Sequence, residues 1–198
     1  MKKNFLASIL LIMVICLAVP ITSDAASQKT AVNKSIKNFM TASKKFNISK
    51  MNTYLYRKKD KLSTSEFKQL PHMTKYIKKY NKKMSYKILN TKVSGKNATV
   101  KIKVKYVNAK PFTDIMLGYM LVDAFNGKDA DSNKYIDNLF KRSLNKKVKL
   151  SMQTKTITVK MIKSKGKWKI KNLSNSLHNI ILADFSDAFD KTVNDFNK

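Results

Sequence analysis

The sequence predicts an α+β domain: N-terminal helices packed on a curved, mostly antiparallel sheet built from two hairpins, with a C-terminal helix. Three observations carry this. Apolar residues recur at helical spacing between Ser27 and Tyr80. The period switches to two between Ser85 and Tyr106, and again between Val148 and Lys171. Helical spacing then returns from Ser174 onward.

The chain opens with Lys2 and Lys3, an apolar run from Phe5 to Val19, Pro20, and the small residues Ser23, Ala25 and Ala26. This is the layout of a cleaved secretory leader, residues 1–25. The alternative is an uncleaved segment holding the protein at a membrane, but fifteen apolar residues fall short of the ~20 that a spanning helix needs. The expected location is therefore secreted and cell-surface associated. Cys16 is the sole cysteine and sits inside the apolar run behind Met13-Val14-Ile15, without the small preceding residue that lipid attachment requires. Cleavage leaves no cysteine, which suits a Gram-positive envelope better than a eukaryotic secretory route. The remaining length supports a single domain, residues 26–173, followed by an acidic amphipathic helix, residues 174–198.

Each element follows from its pattern. Ser27 to Phe46 places Val32, Ile36, Phe39 and Met40 on one helical face. Ile48 to Tyr56 is a shorter helical or irregular piece. Ser63 to Glu66 forms a capping box opening a short helix toward Leu70. Pro71 starts a helix through Tyr80 with Met73, Tyr76, Ile77 and Tyr80 aligned. Ser85 to Val93 is a strand, Ser94 to Asn97 a turn, and Ala98 to Tyr106 a strand of clean alternation. On it Ala98, Val100, Ile102, Val104 and Tyr106 face one way, and Thr99, Lys101, Lys103 and Lys105 the other.

Pro111 opens a helix from Phe112 to Asn126 that is apolar nearly all round, so it is expected to be buried or to cover a hydrophobic cavity. Ser132 to Asn145 is a second, amphipathic helix. In the next hairpin Val148, Leu150 and Met152 lie on even positions but Ile157, Val159 and Met161 on odd ones, so a bulge or bend is expected near Thr154 to Thr156. A turn at Ser164 to Lys167 leads to Trp168 and Ile170. One helix from Ser174 to Phe196 closes the chain, with Leu177, Ile181, Phe185, Ala188, Val193 and Phe196 as its stripe.

Charge is the most unusual property. The chain has 41 basic and 12 acidic residues, a net of +29, with only Arg57 and Arg142 as arginines and Glu66 as the single glutamate. An AT-rich genome explains lysine over arginine, but would also enrich glutamate. Acid depletion therefore points to a use for the positive field, with anionic wall polymer or a membrane surface as partner. Scarce arginine argues against nucleic acid as a specific partner, because bidentate phosphate and base recognition relies on the guanidinium fork.

The segment from Tyr86, YKILNTKVSGKNATVKIKVKYVNAKPF, and the closing GKWKIKN, with Gly166-Lys167-Trp168 at its head, resemble the nuclear-transport-factor-2-like (cystatin-like) cone. The chain is similar in particular to small secreted and lipoprotein members of unknown function in Gram-positive bacteria. The resemblance implies helices on a cone-shaped sheet. It covers Ser27 to Asn172, and the closing helix and the missing lipid site depart from it. That fold hosts enzymes and binding modules alike.

Enzymes of that fold that shift protons carry an acid, base or tyrosine on the inner cone face, yet neither hairpin contains Asp, Glu or His. Asp114, Asp123, Tyr86 and Tyr106 remain as catalytic candidates, and no acid–base pair emerges from their spacing. Asp114 equally serves the helix N-terminus. His72 and His178 lack partners for a metal. Asp129, Asp131, Asn133 and Asp137 approach a calcium loop, but Lys134 replaces its glycine and Phe140 its closing acid. No metal or cofactor is expected.

The leading expectation is a non-catalytic polyanion-binding face at Lys101, Lys103 and Lys105, extended by Lys160, Lys163, Lys165, Lys167 and Lys169; the competing one is an ordinary solvated sheet face. A second reading is a carrier whose cone cavity, lined by Tyr86, Val104, Tyr106, Met116, Met120 and Trp168, takes a small hydrophobic ligand; the same residues equally serve as core. The acidic C-terminal helix also offers self-association, by docking on a second copy's basic surface.

Overall fold

The computed structural model describes residues 22–128, 132–146 and 148–196. Lys2, Lys3, the Phe5–Val19 run and Cys16 lie outside the described residues, as do Asp129 and Asp131. The first helix, α1 (Thr22–Lys44), runs through Ala25 and Ala26. Among the described residues no helix is long and apolar enough to cross a membrane.

The architecture is α+β, with helices packed against a four-stranded antiparallel sheet that is not closed into a barrel. Helices α2 (Ile48–Thr53), α3 (Thr64–Gln69) and α4 (Pro71–Asn81) follow α1. Strands β1 (Ser85–Ser94) and β2 (Asn97–Val107) come next, then helices α5 (Lys110–Phe125) and α6 (Asn133–Asn145). Strands β3 (Met152–Ser164) and β4 (Lys167–Ile170) and helices α7 (Asn175–Ile181) and α8 (Phe185–Phe196) complete the chain. Strand order is β1-β2-β3-β4, a meander interrupted by the two-helix insert. Asn52 and Leu62 exchange two 2.9 Å hydrogen bonds that close the loop after α2. Tyr54 and Tyr56 bond the Ile170 backbone, adding a one-residue parallel bridge to the β4 edge.

The helical stripes land in the core as their spacing requires. Val32, Ile36, Phe39 and Met40 of α1 are fully buried, and Ser35 Oγ donates to the Trp168 carbonyl at 2.7 Å, tying α1 to β4. Ser63 caps α3 by accepting from the Glu66 amide. Tyr76 of α4 stacks on Phe112 of α5 with centroids 4.4 Å apart, and Phe140 of α6 contacts both rings. Phe185 of α8 packs on Phe140 at 4.7 Å. Four helices from distant parts of the chain thus share one aromatic cluster, each buried ring adding about 1.5–3 kcal/mol.

Three sequence expectations are corrected. Residues 148–151 are not in the strand, so the even-phase residues Val148 and Leu150 never enter the ladder, and β2–β3 pairing runs without a register shift from Met152 to Ile162. The bulge lies instead in β1, where Ile88 pairs with Ile102 but Asn90 pairs with Lys101, leaving Leu89 extra. The closing helix is two helices. Ala183 and Asp184 take φ of +56° and +65° between them, and the turn returns α8 along α5. Finally, α5 is not buried all round: Phe112 and Met116 are in the core, whereas Val122 and Phe125 are exposed.

Candidate functional site

The candidate site is the solvent face of the sheet. Along β2 the side chains alternate strictly, with Ala98, Val100, Ile102, Val104 and Tyr106 buried and Thr99, Lys101, Lys103 and Lys105 exposed. Antiparallel partners share a face, so the register places the neighbours. Lys101, Lys103 and Lys105 stand opposite Thr158, Thr156 and Thr154 of β3, and Thr99 stands opposite Lys160. On the other side Lys87 of β1 stands opposite Lys103, and Lys92 opposite Thr99. Lys169 and Lys167 of β4 pair with Ile162 and Ser164 and continue this face. Successive lysines on β2 are about 7 Å apart and neighbouring strands about 4.8 Å apart. The result is a grid of ammonium groups interleaved with threonine hydroxyls, with no acid in either hairpin.

The β1 bulge has a direct part in building that grid. Tyr86 and Ile88 face the core before it, Thr91 and Val93 after it, so the parity of the strand flips at Leu89. Lys87 and Lys92, of opposite parity in sequence, thereby reach the same outer face. Neither was singled out from sequence. The signal was present in the change from even to odd core residues within one short strand.

Lys163 departs from the expected set. It pairs with Trp168 and so stands on the side of the sheet that the helices cover, half-buried. Lys165 occupies the β3–β4 turn with φ +48° beside Gly166 at +74°, the left-handed pair that a two-residue hairpin turn needs.

The acids are held away from this face. Asp60 forms a two-pronged pair with Arg57 at 2.8 Å and accepts from the Leu173 amide. The Arg57 hydrogen bond holds its carboxyl below the usual range. Asp114 pairs with Lys110. Asp123, 2% exposed, lies between Lys128 and Arg142, and the Lys128 hydrogen bond, ahead of Arg142, holds it below the usual range. Such a carboxylate is a weak base. Asp137 reaches from α6 to the start of α4, accepting from the His72 and Met73 amides and sitting 2.6 Å from His72 Nδ1. Asp184 is buried and pushed up by that burial. It accepts from Ala109 N, Asn179 Nδ2 and Gln153 Nε2 at 2.6–3.0 Å. These last two clusters join residues up to 75 positions apart, beyond the reach of local patterning.

Of the expected cavity lining, Val104, Tyr106, Met116 and Trp168 are core residues, at most 5% exposed, and burial pushes the Tyr106 hydroxyl up to about 12. Met120 packs half-buried against them. Tyr86 lines a surface groove of about 640 Å³ between α1 and β1, with Lys29, Lys37 and Lys44 on its rim. A second groove, about 630 Å³, is lined by Phe67, Pro71 and Thr74 together with Lys68 of α3, Lys75, Lys78 and Lys79 of α4, and Lys82 at the cap of α4. Among the described residues no three His, Cys, Asp or Glu side chains gather as metal ligands.

No family model matches the chain. No curated protein matches it either. Among solved structures, ycdA of Bacillus subtilis, described as a putative lipoprotein, is 18% identical with a TM-score of 0.38. That alignment covers 76% of this chain and 46% of ycdA, so the chain matches less than half the length of its neighbour.

Proposed function

We propose that the protein is an exported, non-catalytic binding domain whose sheet face holds a linear anionic polymer of the cell envelope. The observation that carries this is the outer grid of Lys87, Lys92, Lys101, Lys103, Lys105 and Lys160, with two of its lysines directly opposed and no carboxylate among them. Opposed like charges cost stability in an isolated sheet, and a bound polyanion removes that cost. Lysine ammonium groups are compact point charges, and threonine hydroxyls between them donate to phosphate oxygens without demanding one geometry. Each lysine near an anionic surface contributes about 1 kcal/mol. The nuclear-transport-factor-2-like reading belongs to this proposal; helices preceding an antiparallel meander with a helical insert support it.

The test is a salt series with a purified envelope polyphosphate-type polymer, comparing wild type with a Lys101→Ala, Lys103→Ala, Lys105→Ala variant. Binding that falls steeply between low and 1 M salt, and about 100-fold in the variant, supports the reading. Equal binding by both proteins overturns it.

A further inference from the structure

The groove on α3 and α4 joins an apolar floor to a cationic rim. On the floor, Phe67 is half-buried and stands edge-on to the buried Phe46 ring at 5.0 Å, with Pro71 exposed in the same groove. Thr74 adds little polarity, because its hydroxyl donates to the Phe67 carbonyl at 2.9 Å. The floor continues past Phe67 and Thr74 into a smaller groove of about 250 Å³ lined by Phe46 and Ile48. On the rim, Lys75, Lys78, Lys79 and Lys82 recur at i, i+3, i+4 and i+7, one row about 10 Å long on α4 and its cap, and Lys68 joins them from α3. All five are exposed, and among the described residues none is in an ion pair. The chain carries no Asp or Glu from Phe67 to Thr113. The acids of neighbouring elements are turned elsewhere. Asp137 of α6 accepts from the His72 and Met73 amides, and Glu66 of α3 lines a different groove with Lys59 and Lys61. Setting Glu66 against the five lysines still leaves a local surplus of four positive charges.

We infer that this groove binds a monomeric anionic amphiphile, a single alkyl chain with a phosphate or carboxylate head. The tail lies on Phe67 and Pro71, and the head meets the ammonium row. Lysine serves both parts, because its four-carbon stem covers apolar surface while its charge stays in water. Like charges three and four residues apart weaken a helix, and a bound anionic head removes that cost. A volume of about 630 Å³ falls within the ~300–1,000 Å³ of small-molecule sites. A polyanion without a tail leaves the floor wet, and a neutral lipid leaves the ammonium row unpaired. The site is separate from the sheet face, where threonines rather than a ring and a proline lie among the lysines.

The test is calorimetric titration of the full chain with octyl phosphate below its micelle concentration, beside butyl phosphate, inorganic phosphate and phosphatidylglycerol vesicles. The groove predicts one saturable site that binds octyl phosphate at least about tenfold more tightly than inorganic phosphate, with butyl phosphate between them. Combining Lys75→Gln, Lys78→Gln and Lys82→Gln weakens octyl phosphate binding about tenfold to 100-fold. Equal affinity for octyl and inorganic phosphate overturns the inference, because the floor then contributes nothing. So does unchanged binding in the lysine variant, or binding to vesicles alone, which would make the row a contact with a bilayer. The Lys101, Lys103, Lys105 triple alanine variant retains the octyl phosphate site, so failure of the polymer reading and failure of this one are distinguishable.

Discussion

Lys87 on β1 and Lys103 on β2 face each other directly across the antiparallel pair, on the solvent side of the sheet. Like charges in that position cost about 0.2–1 kcal/mol. Replacing Lys87 with glutamate should therefore raise stability by about 0.5 kcal/mol or more while weakening polymer binding. Denaturant unfolding and a polymer titration read the two effects, and their opposite signs distinguish a functional grid from a solvated face.

Leu89 is the extra residue of the β1 bulge and is 45% exposed. Deleting it lets Asn90 follow Ile88 in regular alternation and keeps Thr91 facing in and Lys92 facing out. The deletion should leave the protein folded, with stability changed by no more than about 1 kcal/mol. Deleting Asn90 in a protein that lacks Leu89 puts Thr91 outward and Lys92 inward, and should cost several times more, as thermal unfolding would register.

These two strands show how much was legible. The alternation of β2 fixed its two faces without further information, because one strand of period two has a single way to bury Val100, Ile102 and Val104. The faces of Lys92 and Lys163 were not legible, since each depends on a register or parity that a partner strand sets. Core residues of the α1 and α4 stripes were evident from spacing. The break at Ala183-Asp184 was not. Leu182-Ala183-Asp184 holds no glycine or proline, and its left-handed backbone is held by tertiary bonds, including Tyr76 to the Ala183 carbonyl and Asp184 to Ala109 N. The exposure of Phe125 escaped for a similar reason: composition made α5 look buried, whereas only packing decides which of its apolar sides is covered.

Asp123 is buried against Lys128 and Arg142, and Arg142 also lies 4.1 Å over the Tyr119 ring. Asp123→Asn should lower stability at pH 7, because the amide keeps one acceptor oxygen but turns a donor NH2 toward the other cation and removes the negative charge both cations face. Because the folded protein holds this carboxyl below its unfolded value, its contribution is present above about pH 4 and is lost as pH falls further. The variant should accordingly lose less stability than wild type on acidification below pH 4, measured by denaturant unfolding across pH.

His178 on α7 is held below its usual value by burial, which Asp187 only partly offsets. A depressed folded value means that stability is complete above the unfolded value of about 6.5 and falls as pH drops below it. A His178→Gln variant should show a smaller fall in melting temperature than wild type between pH 7.5 and 5.

The most direct test of the polymer-binding face is lysine footprinting. The protein is labelled with an amine-reactive reagent with and without envelope polymer at low salt, and modification at each lysine is read by mass spectrometry. The account predicts severalfold protection at Lys87, Lys92, Lys101, Lys103, Lys105 and Lys160, with Lys75, Lys78 and Lys79 on α4 and Lys82 at its C-terminal cap labelled as before. Protection spread evenly over all lysines, or confined to α4, would contradict it.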